Sequence, residues 1–206
     1  MVINSRFFKG SIIGVLLVAV LLVTPGMANA MQFSEPMKIG EVGWKKNIFA
    51  KQALPSSVEG AYYDFRGANN VVRFDVRSQG RPRIGSANDS NNVVEMRGFA
   101  NGNFIYEITG DNSLSVYVIV LYGSDSESVI VLGPNRQGRY AKYIDHEGFE
   151  KANGGQLNSM QSLNSPKLSV QNDTIIINCG TKQQQWRYLL KWDEKAQWFG
   201  IAFEKL

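Results

Sequence analysis

The run Leu114–Tyr122, LSVYVIVLY, constrains the fold more than any other stretch. Its β-branched and aromatic residues mark a strand. Within it, VYVIVLY is apolar at every position, so neither face favours water. Such a strand sits in the middle of a sheet and is covered on both sides. The run VVRFDVR (71–77) is of a different kind. Val72, Phe74 and Val76 face one way and Arg73, Asp75 and Arg77 the other, which leaves one wet face.

Further strand-like runs are AYYDFR (61–66), VVEMRGF (93–99), FIYEIT (104–109), SVIVLG (128–133), RYAKYID (139–145), TIIINC (174–179), WRYLLKW (186–192) and WFGIAF (198–203). Turn-rich connections such as GANN, ANGN, GDNS and PNRQG separate many of them. No stretch after residue 30 keeps a helical apolar period for three turns. Val42–Leu54 comes nearest and predicts a short helix before Pro55. Residues 146–166 have no clear period and read as a long loop with room for a short helix. About ten short strands with turn signals between them predict an all-β fold. The expectation is a single antiparallel β-sandwich, jelly-roll-like, or a barrel.

The first thirty residues read differently. Arg6 and Lys9 precede the apolar run Ile12–Val23, and TPGMANA follows with breakers and small residues. This three-part pattern is that of a secretory signal peptide. The apolar run is well short of the ~20 residues that span a bilayer. Cleavage is expected after Ala30, leaving one domain over 31–206, periplasmic or extracellular. The leader takes two of the 22 basic residues and none of the 18 acids, so the net charge falls from +4 to +2. That near-neutral balance argues against nucleic acid as a partner. The membrane is then touched only through the transient leader. A single cysteine allows no internal disulfide, which suits a bacterial exported protein better than a small eukaryotic secreted domain.

Three of the four tryptophans fall between Trp186 and Trp198. A four-residue turn DEKA (193–196) would pair Trp192 with Gln197 and Lys191 with Trp198. On that register Trp186, Tyr188, Phe199, Ile201 and Phe203 share the core face. Trp198 projects to the other face beside Lys191, where a cation–π contact is available. Trp198 and Lys191 are therefore candidate ligand contacts.

The remaining chemistry is sparse. His146 is the only histidine and has no His or Cys at ligand spacing, so no metal site is expected. Cys179 ends a strand and reads as a small buried hydrophobe. No catalytic, nucleotide or cofactor motif occurs in 31–206. Arg73, Arg77, Arg81 and Arg83 form a basic run, with Arg81 and Arg83 flanking Pro82. These two are candidate contacts for an anionic ligand.

The chain thus reads as an exported, non-enzymatic binding or envelope-interaction domain with no cofactor. Its expected partner is a carbohydrate or another envelope protein. One alternative is a carbohydrate-active enzyme or binding module on a jelly roll, which needs acids such as Asp75 and Glu95 to converge. A second is a small barrel carrying an apolar ligand, lined by residues such as Phe104, Tyr106, Val116 and Val118.

Overall fold

A computed structural model describes residues 31–43, 62–75, 82–96, 102–122, 129–154, 166–180 and 185–206. The leader, Arg81, Trp44 and most of the helix expected over Val42–Leu54 lie outside these residues. The strands run in chain order as β1 (Met37–Gly43), β2 (Tyr62–Arg66), β3 (Val71–Asp75), β4 (Arg83–Ser86), β5 (Val93–Glu95), β6 (Gly102–Thr109) and β7 (Ser115–Tyr122). They continue as β8 (Val129–Pro134), β9 (Tyr140–Ile144), β10 (Lys167–Gln171), β11 (Thr174–Gly180), β12 (Gln185–Asp193) and β13 (Trp198–Lys205). One short helix, α1 (His146–Ala152), joins β9 to the last four strands.

All ten expected strands are present and the fold is all-β and antiparallel. The strands form three sheets. A central sheet has the order β1-β6-β7-β8-β9, a first outer sheet β2-β3-β4-β5, and a second outer sheet β10-β11-β12-β13. Strand β7 occupies the middle of the central sheet, as its two apolar faces require. Val116, Val118 and Val120 point into one core, shared with Ile175, Ile177, Tyr188 and Leu190 of the second outer sheet. Tyr117 and Ile119 point into a second core, shared with Phe65, Val72, Phe74 and Ile84 of the first outer sheet. The sandwich therefore has a third layer. Each fully buried Val or Ile contributes roughly 1.5–3 kcal/mol by transfer from water, and β7 collects this on both sides.

The edges of the layers meet through side chains. Asn92, just before β5, donates from Nδ2 to the Gly138 carbonyl at 3.0 Å and accepts from the Tyr140 amide at 2.6 Å. Its amide thus imitates a backbone pairing between the first outer sheet and edge strand β9. A Cβ on Gly85 would run into the backbone at Asn92 and Val93, so only glycine permits β4 and β5 to approach there. Beside the β6–β7 turn, Met31 and Phe33 tuck into the core. Phe33 bridges Gly110 and stacks on Phe199 at 5.8 Å.

Helix α1 starts where Asp145 caps it, its side chain accepting from Gly148 N at 3.2 Å. Its Phe149 is fully buried against Tyr188, with ring centroids 5.0 Å apart.

Candidate functional site

The β12–β13 hairpin has a four-residue turn, but it is Glu194–Gln197, one position later than expected. Asp193 pairs with Trp198, Trp192 with Phe199 and Lys191 with Gly200. Two effects set this position. The Asp193 carboxyl accepts from Lys195 N at 2.8 Å and Ala196 N at 3.0 Å, which closes the turn from its first strand. Gln197 takes a left-handed φ of 52° and donates its amide to the Asp193 carbonyl. Donation from the Ala196 and Lys195 amides also holds the Asp193 carboxyl below its ordinary pKa. The slip is two residues in register, so every side chain keeps its expected face. Tyr188, Trp192 and Phe199 are buried, and Trp186, Ile201 and Phe203 pack against the same core.

The slip does change the neighbours of Trp198. Its ring stands edge-on to Tyr143, 5.1 Å away at 88°. Tyr143 also meets Trp192 at 5.6 Å and Phe199 at 5.4 Å, and its hydroxyl donates to the Pro134 carbonyl. Trp198 is thus the outer member of a fixed ring cluster. It is 38% exposed and is the one exposed large aromatic among the described residues. Lys191 does not cover it. The Lys191 ammonium lies 3.0 Å from the Asp173 carboxyl and lowers that group's pKa, chiefly through their hydrogen bond.

Arg83 lies on β4 of the first outer sheet, exposed, with Asp75 of β3 on one side and Glu95 of β5 on the other. The three make a row of alternating charge across neighbouring strands. The Asp75 and Glu95 backbones are then about 10 Å apart, two strand spacings, with the arginine between them. On the same sheet Arg73 grips buried Asp64 through two 2.7 Å hydrogen bonds and lies over the Tyr62 ring at 4.0 Å. The hydrogen bond to Asp64 raises the Arg73 pKa. The candidate contacts therefore divide between the two outer layers. Trp198 and Lys191 are on one, Arg83 is on the other, and the central sheet lies between them. Two sheet separations of about 10 Å each keep them from sharing one small ligand.

The side chains linked to the other expectations are also placed. Cys179 is buried, and burial pushes its thiol up to about 12, the inert hydrophobe expected. His146 is half-buried at the start of α1, and no described group bonds its Nδ1. No group of three or more metal-ligating side chains occurs among the described residues. Phe104, Tyr106, Val116 and Val118 share the central-sheet face that packs on the second outer sheet.

One polar cluster was not foreseen. Glu107 on β6 is 1% exposed at the end of the core between the central and first outer sheets. Its carboxyl accepts from Ala68 N at 2.6 Å and from the Tyr117 hydroxyl at 3.2 Å. Tyr117 also bonds Ser115 and Tyr140, and Asn69 donates to Ser115. A Cβ on Gly67 would overlap the Glu107 carboxyl, so the β2–β3 turn is built to receive it. The only sequence signal was a lone acid at an inward position of FIYEIT. The cluster seats the turn on the central sheet, and each polar group in it has a partner.

The chain matches no protein family, no curated protein and no solved structure.

Proposed function

We propose that this chain is an exported, non-enzymatic β-domain that binds a partner in the cell envelope or at the cell surface, a glycan or another envelope protein, through the surface around Trp198. The observation that supports it is the 38% exposed indole, held edge-on by Tyr143. A ring already immobilised loses little entropy when a sugar ring or a side chain stacks on it. The buried carboxyl groups are engaged internally, Asp64 by Arg73 and Glu107 by Ala68 and Tyr117, which favours binding over acid–base chemistry. Export rests on the leader pattern of residues 1–30.

Retention on immobilised glycans and on cell-wall material tests the binding half. Wild type should be retained and Trp198→Ala markedly less. Equal retention would remove Trp198 from the site. Cell fractionation tests the export half: a product beginning at Met31 is expected outside the inner membrane, and full-length protein held in the cytoplasm would sink it.

A further inference from the structure

Among the described residues the three sheets present six edge strands, and five carry a device that discourages pairing with another chain. β1 has a register break between Lys38 and Gly40 and a Lys38–Glu41 ion pair. β2 carries Asp64 and Arg66. β5 is three residues long and follows Asn92, which is bonded to β9. β9 lies against a register break and carries Lys142. β10 is short and begins with Lys167. β13 differs in that its charges, Glu204 and Lys205, are confined to its last two residues, where Glu204 pairs with Arg187 of β12. It is eight residues long, its register with β12 is unbroken, and Trp198–Phe203 contains no charge and no proline.

The free side of β13 follows from one bond. Leu206 N donates to the Gln185 carbonyl, so even-numbered residues of β13 direct their backbone groups toward β12. Phe199, Ile201 and Phe203 therefore direct N–H and C=O outward, away from the sheet. They bond no described residue there. Their side chains face the core; Phe199 is buried, Ile201 and Phe203 stay half-exposed, and helix α1 and β9 approach the strand. The strand is also nearly symmetric. Phe-Gly-Ile-Ala-Phe (199–203) reads aromatic, small, aliphatic, small, aromatic about Ile201.

We propose that β13 is a self-pairing edge: two copies of this chain join antiparallel about a two-fold axis at Ile201, making one continuous sheet from their second outer sheets. In that register Phe199 of each copy lies opposite Phe203 of the other, Ile201 opposite Ile201, and Gly200 opposite Ala202. Apolar residues meet apolar ones on the core face, and the small pairs keep the other face flat. The outward groups of Phe199, Ile201 and Phe203 form about six main-chain hydrogen bonds, two for each hydrogen-bonded pair. The contact is isologous and closes at two copies. It does not depend on export or on a ligand of Trp198.

Sedimentation of the mature chain over a concentration series, with amide hydrogen exchange read residue by residue, tests the proposal. Wild type should reach twice the monomer mass, and the Phe199, Ile201 and Phe203 amides should exchange more slowly as concentration rises. Ile201→Lys, which sets two ammonium groups against each other at the axis, should stay monomeric with an unchanged circular-dichroism spectrum. If that variant fails to fold, wild-type exchange decides alone. A monomer at every concentration with these amides fast, or a dimer that survives Ile201→Lys or leaves the three amides unprotected, would overturn the proposal.

Discussion

Burial disfavours the charged form of a thiol or a phenol, and four such groups in the cores show it. Cys179 is pushed up from 9.0 to about 12, and the Tyr117, Tyr143 and Tyr188 hydroxyls are pushed above their ordinary 10.0, in each case chiefly by desolvation. In the unfolded chain the thiol ionises near pH 9 and the phenols near pH 10, while the folded chain still holds their protons. The native state then binds more protons than the unfolded one, so stability is full below about pH 9 and declines as pH climbs through that range. Urea midpoints taken from neutral to strongly alkaline pH should fall steadily, and a flat profile would contradict this burial. Glu107 has the opposite character, a buried polar group with partners. Glu107→Ala strands the Ala68 amide and takes one partner from the Tyr117 hydroxyl, and equilibrium denaturation should show a loss of about 1–3 kcal/mol.

Among the elements, the edge formed by β5 and β9 depends on one amide. Asn92→Ala removes both of its bonds to Gly138 and Tyr140 and should cost about 1–3 kcal/mol, read as a lowered urea midpoint with the slope unchanged. Strand positions were largely legible in the sequence, because a period of two and β-branched composition are local properties. The missed strands lack that signature. RIGS in β4 and KLSVQ in β10 are too short to show a period, and MKIGEVG in β1 is interrupted by two glycines and a register break. The β12–β13 turn shows the same limit more finely. Burial dictated which face each residue took, while the position of the turn was set by the Asp193 carboxyl and by a glutamine accepting a left-handed backbone, neither of which hydropathy reports.

At the scale of the whole molecule, the two-sided character of β7 foretold coverage on both faces, but not that three separate sheets would supply it. Which strands pair across a long connection is a non-local property that a periodicity cannot carry. For the same reason Trp198 and Arg83 could be singled out one at a time, yet their placement on opposite outer layers was invisible. The Glu107 cluster, assembled from β6, β7, β9 and the β2–β3 turn, was equally hidden. The layering makes a quantitative prediction. Val118 and Ile119 are chain neighbours, but each packs into a different core. Val118→Ala should cost about 1–3 kcal/mol and Ile119→Ala about 2–5 kcal/mol. The double variant should lose their sum within about 0.5 kcal/mol, because the two side chains share no packing partners. A coupling well beyond that in a double-mutant cycle would mean that the layers respond as one.

Met31 gives the export proposal an order of events. Its side chain is 3% exposed and lies against Gly110, while Phe33 locks onto the end of the central sheet. Proteases act on chain that is locally open. Under that proposal the leader is removed while the domain is still a loose thread, and the new amino terminus then docks as a latch. Maturation and folding run as a race that the peptidase has to win.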